Sequence, residues 1–211
     1  EVYAEHNEKC RALIGKEYTK STVTKFDTSI NRLKEYIRSC YHRDDIMLAE
    51  LDGQFIRDFD FWLKTEKHCQ NNSALKHLKN LKKVVRIALA NDWIKKDPFY
   101  GIHFKQEEVN VEFLSREELD ILMNKEFAIQ RLEQVRDIFV FCCFTALAFV
   151  DVQQLSREHL TKDNNGALWI RKARQKTNQM CNIPVLSIPQ RILRKYEDNA
   201  ECIKKGVLLP V

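Results

Sequence analysis

The sequence has few residues that break helices. Only 5 of its 211 residues are glycine and 4 are proline, and every proline lies beyond residue 97. This scarcity excludes collagen-like, low-complexity and turn-rich all-β architectures, and it predicts a first half that is mainly helical. Charged residues make up 31% and hydrophobic residues 44%, a balance typical of a globular chain with one or two domains.

Long apolar runs and metal-binding patterns are also missing. The longest apolar run, residues 138–150, is shorter than the ~20 residues of a membrane span, so it predicts a buried helix. No secretion signal opens the chain. The seven cysteines are never spaced as C-x-x-C, and the six histidines form no zinc motif. We therefore expect free thiols, a cytoplasmic location, no membrane contact, no metal and no small-molecule cofactor.

Positive charge is concentrated in the first half of the chain. Residues 1–105 contain 20 Lys and Arg against 15 Asp and Glu, whereas residues 106–211 contain 15 of each. The whole excess of +5 therefore lies in the first half. A net charge of this size is weak evidence for an anionic partner, so its arrangement on the fold matters more.

Apolar residues at helical spacing predict a bundle of about four helices in the first half. The predicted helices cover residues 1–14, 20–41, 54–67 and about 72–92. Hydroxyl, carboxylate and amide side chains precede three of them and predict their N-caps. These candidate caps are Thr19 or Ser21, Asp52, and Asn72 or Ser73.

The predicted helix over residues 72–92 carries a basic stripe. At 100° per residue, four cationic side chains fall within a wedge of roughly 80°, opposite the apolar face. A solvated basic face is the simpler interpretation of this stripe. The functional interpretation is a helix that faces phosphates, because several cations on one face displace counterions from a duplex. The four residues are Lys76, Lys79, Lys83 and Arg86.

A change of composition predicts a boundary between two domains. Residues 98–110 begin with Pro98, which holds the preceding residue in an extended conformation and ends the helical bundle. We therefore expect a first domain over residues 1–97, a linker over residues 98–110, and a second domain over residues 111–211.

The second half mixes helices with a small hairpin. Ser115 and Glu118 form a capping box that starts a helix. The helix predicted over residues 131–146 becomes wholly apolar, so we expect it to be buried on every side. The other predicted elements are short helices at 151–155 and 187–198 and strands at 167–172 and 182–186. Pro184 indicates an edge strand, and the loop between the strands is rich in Lys and Arg.

Three segments together resemble a tyrosine recombinase, the phage-type integrase family found on bacterial mobile elements. Residues 144–155, FTALAFVDVQQL, resemble the first catalytic box of that family, T-G-L-R-x-x-[ED]-x-x-x-L. Residues 172–178, KARQKTN, resemble the β-hairpin that carries the catalytic lysine, and residues 182–185 resemble the strand after it. The helical first half resembles the SAM-like core-binding domain of the family.

This resemblance implies a mainly α fold with a small β-sheet. A helical SAM-like core-binding domain would precede the N-terminal part of an α+β catalytic domain. It also implies double-stranded DNA as the partner and assembly of the complete protein as a tetramer on DNA. The implied DNA contacts are Lys25, Asn72, Lys76, Lys79, Lys83, Arg86 and Arg174.

The resemblance assigns Lys176 as the acid that protonates the leaving 5′-hydroxyl, and a solvated turn lysine is the alternative. It assigns Asp151 a supporting role, although this residue could equally be only an N-cap. The arginine of the first box is replaced by Ala148. Arg136 is the candidate substitute, and an ion pair to a neighbouring carboxylate is its alternative role. Arg131 and Arg174 are further candidates for the substitution.

Other parts of the family pattern are missing. The second box, H-x-x-R, does not occur, and Tyr196 lies ahead of where that box would begin. The family cleaves DNA through a 3′-phosphotyrosyl intermediate, so we expect this chain to be a fragment that binds DNA without cleaving it. Two other functions remain open: a non-catalytic DNA-binding or regulatory protein on the same scaffold, and a helical protein-interaction module.

Overall fold

The computed structural model describes residues 1–211, which form two units, residues 1–110 and residues 111–211. The first unit consists of four α-helices and a single 3₁₀ turn at Leu48–Glu50. Its helices are α1 (Val2–Ala12), α2 (Lys20–Tyr41), α3 (Gly53–Thr65) and α4 (Asn71–Ala90).

Helices α2 and α3 begin as the sequence predicts. The Thr19 hydroxyl accepts a hydrogen bond from the Thr22 backbone N–H at 3.3 Å, and the Asp52 carboxylate accepts one from the Phe55 N–H at 2.8 Å. These bonds satisfy N–H groups that the first helical turn leaves without partners. The prediction for α4 is wrong, because its N-cap is Gln70, whose side chain makes no capping bond.

An aromatic cluster forms the centre of the first unit. The ring of Tyr36 lies 5.1 Å from Phe59, 5.2 Å from Phe55 and 5.5 Å from Trp62, centroid to centroid. Helix α4 packs its apolar face, including Leu78, against the same core. Because these side chains come from three helices, their burial fixes the bundle.

The second unit contains five α-helices and a three-stranded antiparallel sheet with the order β1–β2–β3. The helices are α5 (Arg116–Asn124), α6 (Gln130–Thr145), α7 (Phe149–Gln153), α8 (Ser187–Lys195) and α9 (Ala200–Lys205). The strands are β1 (Leu160–Lys162), β2 (Leu168–Ala173) and β3 (Met180–Pro184), and a 3₁₀ turn at Arg157–His159 precedes β1.

The sheet places the hairpin strands in register around a loop. Ala173 pairs with Met180, so residues 174–179 form the loop that joins β2 and β3. Strand β3 is an edge of the sheet, as Pro184 indicates. Strand β1 and helix α9 were not predicted, because three and six residues are too few to show a periodic pattern.

Helix α6 is only partly buried, which corrects one prediction. Ile138 and Phe141 lie in the core, but Phe139 is 44% exposed and Val135 is 57% exposed. An apolar run therefore does not show by itself that every side of a helix is covered. No helix in the chain combines the length and the apolar character that a membrane crossing requires.

Candidate nucleic-acid interface

The basic stripe of α4 lies on the exposed side of the helix. Lys76, Lys79, Lys83 and Arg86 are all exposed, whereas Leu78 is buried on the opposite side. This separation follows from the helical period, because residues three and four apart share a face. The structure therefore brings the four predicted cations together.

A groove between α2 and α4 adds a cation from the second helix. Its volume is about 500 Å³, and Lys25 of α2 lines it together with Lys76 and Lys79 of α4. None of its ten lining residues is acidic. The remaining lining residues are mostly polar: Thr22, Phe26, Thr28, Ser29, Ser73, His77 and Asn80.

The polar residues at this groove are connected by hydrogen bonds. The Ser29 hydroxyl lies 3.0 Å from His77 Nδ1 and accepts a bond from Asn80 Nδ2 at 2.8 Å. Burial lowers the pKa of His77, and the nearby positive charge of Arg32 adds to this effect. The neutral form of the imidazole is therefore favoured, so the lysines supply the charge of the groove.

Lys83 stands on an aromatic support. Its ammonium lies 4.8 Å from the ring centroid of Phe26 and 5.2 Å from that of Tyr18. Cation–π attraction to two rings restrains the side chain of Lys83, which is an exposed residue. This contact joins α4 to Phe26 of α2 and to Tyr18 in the loop before α2. The sequence pattern of α4 alone does not predict such a contact.

Asn72 has partners within the protein. Its Nδ2 donates to the Glu107 carbonyl at 2.8 Å, and its Oδ1 accepts from the Glu107 N–H at 3.0 Å. Both polar atoms of its carboxamide are therefore engaged in this conformation. These bonds favour a role for Asn72 in holding the chain, rather than the DNA contact that the sequence suggested. Asn72 does not cap α4 because it lies inside the helix, which begins at Asn71.

In the second unit, Asp151 holds the loop that carries Lys176. The Asp151 carboxylate accepts a hydrogen bond from the Gln175 backbone N–H at 2.9 Å, and Asp151 is only 2% exposed. Lys176 is exposed in the same loop. Asp151 is not an N-cap, because α7 begins at Phe149 after Ala148.

Arg174 reaches the turn in which the arginine of the family's box is missing. Its Nη2 donates to the Ala146 carbonyl at 3.1 Å. Ala146 ends α6 in the left-handed conformation, and Ala148 follows two residues later as the N-cap of α7. The hairpin loop thus supplies a guanidinium to a turn that has none of its own.

Arg136 is enclosed by acceptors. Its guanidinium contacts Asp137 at 2.8 Å and Glu133 at 3.3 Å, and it also donates to the Lys125 carbonyl. The side chain is only 11% exposed. These contacts match the ion-pair alternative that the sequence left open for Arg136. Arg131 is exposed near the start of the same helix.

Tyr196 belongs to the same ion-pair network. Its hydroxyl donates to Asp137 at 2.8 Å, and Lys195 contacts the same carboxylate at 2.6 Å. Burial raises the pKa of Tyr196, and so does the negative charge of Asp137. Burial also raises the pKa of Asp137, but bonds from Lys195, Tyr196 and Arg136 outweigh it and lower that pKa overall. This tyrosine is buried and structural.

Lys172, one of the Lys and Arg residues of the hairpin, is buried. It is 7% exposed, and its ammonium lies 3.3 Å from His159 Nε2 and 3.4 Å from the Gln154 carbonyl. The alternation along β2 explains this burial, because residues 170 and 172 point to the core side while residue 171 is exposed.

The sequence of residues 1–114 matches the phage integrase SAM-like domain family. The match covers more than half of the chain, so the protein belongs to the phage integrase, or tyrosine recombinase, family. Its mainly helical fold with a small antiparallel sheet agrees with this membership. No curated protein matches the sequence.

Solved structures share this fold at low sequence identity. A lambda integrase tetramer bound to a Holliday junction matches with a TM-score of 0.71 and 15% identity, over 99% of this chain and 56% of that one. The Tn1549 transposon integrase in complex with circular intermediate DNA matches at 0.70 and 14%, over 94% and 64%. XerH site-specific recombinase bound to palindromic difH matches at 0.66 and 14%, over 90% and 56%. The chain thus spans less than two thirds of the length of each.

Proposed function

We propose that this chain binds double-stranded DNA through the α2–α4 groove and the basic stripe beside it. The observation that carries the proposal is the convergence of Lys25, Lys76 and Lys79 on a groove without acidic residues. Positive side chains on one face neutralise phosphates and release counterions, which supplies most of the affinity of sequence-independent binding. Lys83 and Arg86 extend the same face.

We also propose that the complete protein is a site-specific recombinase that forms a 3′-phosphotyrosyl intermediate. Family membership and the DNA complexes of lambda integrase and XerH support this proposal. In this scheme Lys176 protonates the 5′-oxygen as it leaves the phosphorus, which yields a 5′-hydroxyl, and Asp151 holds its loop. The chain itself binds DNA without cleaving it, since it contains no H-x-x-R box and Tyr196 is buried. A tetrameric assembly on DNA and a cytoplasmic location complete the proposal.

Arg174 is our preferred substitute for the arginine that Ala148 replaces. Its guanidinium already lies against the turn of the first box, at the Ala146 carbonyl. Arg136 is engaged by two carboxylates, so its charge is compensated within the protein. A phosphate-binding arginine needs N–H groups that are free to form bidentate bonds, a condition that Arg174 meets better.

A salt titration of duplex binding tests the DNA-binding proposal. The slope of log K against log salt concentration reports the number of phosphates neutralised, at about 0.9 per contact. Changing Lys25, Lys76 and Lys79 together to alanine is expected to reduce this slope by about 3. Lys34→Ala is the matched control, because Lys34 is an exposed lysine of α2 outside the groove.

The alternatives give different results in the same titration. A protein-interaction module would show no duplex binding or a flat salt dependence. If the triple variant retained the wild-type slope, the groove would not be the binding face. A non-catalytic DNA-binding protein would show the same salt dependence of duplex binding as a recombinase. It would differ in that the complete protein would not cleave DNA.

A further inference from the structure

After α4 the chain returns along the helix that it has just left. We call residues 99–107 the return strap. Phe99, which is 2% exposed, anchors its beginning in the core, and Phe104 packs against Phe99 at 6.3 Å between ring centroids. The strap begins with a turn, in which the Ile102 N–H donates to the Phe99 carbonyl at 3.1 Å, and it ends beside the start of α4.

Two asparagines at the start of α4 hold the end of the return strap. Asn71 Nδ2 donates to the Lys105 carbonyl at 2.9 Å. Asn72 and Glu107 exchange two bonds, of 2.8 and 3.0 Å, in the manner of paired strands. All three bonds go to the backbone of the strap, and the Gln106 side chain adds a fourth contact by accepting from Lys79 Nζ at 3.3 Å. We call the three bonds the asparagine clasp.

The asparagine clasp is the last attachment of the chain to the first unit. Residues 108–114 make no hydrogen bond in the structure and are all exposed. Helix α5 starts directly after them with the N-cap Ser115. The free connection between the attached parts therefore has seven residues. If the clasp opened and the chain detached as far back as Phe104, which packs on the core, the free connection would lengthen to ten residues.

We propose that Asn71 and Asn72 are positioning residues that shorten the free connection and thereby strengthen binding of the two-unit protein to DNA. This inference rests on the proposed function. Two tethered units bind one duplex with an effective concentration that falls roughly as the −3/2 power of tether length. Lengthening from seven to ten residues therefore weakens duplex binding about twofold.

Amide exchange of Glu107 measures the asparagine clasp directly and without DNA. Asn72→Ala removes the only acceptor of that N–H, so the amide is expected to exchange about fivefold faster, as for the loss of one typical hydrogen bond. Gln70→Ala is the matched control, because Gln70 lies two residues before Asn72 and its side chain makes no capping bond.

Duplex affinity then tests the consequence for binding. The double change Asn71→Ala and Asn72→Ala removes all three bonds of the clasp and is expected to weaken binding about twofold, while Gln70→Ala leaves it unchanged. A Gly-Ser-Gly insertion after Asn110 lengthens the free connection to ten residues and leaves the clasp intact. It is expected to give the same twofold loss, and it keeps the test usable should the double asparagine variant fold poorly.

The outcomes separate this inference from the proposed function. Faster exchange with unchanged affinity, or an insertion without effect, would overturn the positioning role. Weaker binding with unchanged exchange of Glu107 would instead indicate that Asn72 contacts DNA itself. If the wild-type protein binds no duplex at low salt, the proposed function fails, and this role fails with it.

Discussion

The guanidinium of Arg174 donates to the carbonyl of Ala146 at 3.1 Å, so the hairpin loop places a cation against the end of α6. Ala146 lies two residues before Ala148. Ala148 is the residue that stands where the family carries its box arginine. The loop is held on its other side by the bond from the Gln175 N–H to Asp151. Two hydrogen bonds, one from Arg174 and one to Asp151, therefore hold the hairpin loop against the segment that joins α6 and α7.

The first prediction concerns this charge. Arg174→Ala is expected to weaken duplex binding and to reduce the salt slope by about 1, because one phosphate contact is lost. Adding Ala148→Arg to this variant is expected to restore the slope. The measurement is fluorescence anisotropy of a labelled duplex at several salt concentrations.

Arg136→Ala is the informative comparison for that experiment. It is expected to leave the salt slope unchanged, because Arg136 is paired with Asp137 and Glu133. A normal slope for Arg174→Ala together with a reduced slope for Arg136→Ala would show that the substitute had been assigned to the wrong residue.

The second prediction concerns backbone strain at Ala146. This residue has φ 53° and ψ 19°, in the left-handed region where a side chain is disfavoured and glycine is not. Ala146→Gly is expected to raise the free energy of unfolding by about 0.5–1 kcal/mol. The control is Ala148→Gly, because φ −70° needs no glycine and the added flexibility should destabilise the protein. Urea denaturation measures both, and a lower stability of Ala146→Gly would contradict the assignment of strain.

The third prediction concerns the buried network around Asp137. Asp137→Asn is expected to lower the free energy of unfolding by about 3 kcal/mol, because it leaves Arg136 and Lys195 without their shared buried carboxylate. Glu201→Gln breaks an exposed pair with Lys205 and is expected to cost at most about 1 kcal/mol. Equal effects of the two changes in thermal denaturation would refute the structural role of the network.

The fourth prediction concerns pH. Burial lowers the pKa of His77, so the folded protein binds this proton less readily than the unfolded chain. The unfolded state takes up the proton first as pH falls below about 6.5, and the free energy of unfolding decreases until the lower folded pKa is reached. His77→Gln is expected to remove this part of the loss between pH 7.5 and 5.5. The exposed His103→Gln serves as control, and urea denaturation at both pH values is the measurement.

Much of the fold was predictable from periodic patterns and caps. Helix α2 has the predicted bounds, and Thr19, Asp52 and Ser115 cap their helices through the expected bonds. These features depend on residues close in sequence, so the sequence contains the information directly. The exposure of Phe139 depends on which distant elements cover α6, and no local pattern reports that.

The candidate site was predictable in part, for the same reason. The stripe of Lys76, Lys79, Lys83 and Arg86 follows from the helical period alone. That Lys25 joins it depends on how α2 packs beside α4, and that Asn72 binds Glu107 depends on the path of the chain 35 residues later. Such contacts between distant residues arise only when the whole unit is folded.

The most direct test of the central claim is an NMR titration of the chain with a short DNA duplex, which reports the binding face residue by residue. We predict that amide shifts concentrate at residues 22–29 and 73–86, on both sides of the α2–α4 groove, and that they reverse when salt is added. Shifts centred on α3, or on the exposed side of α6, with the groove unaffected, would contradict the account.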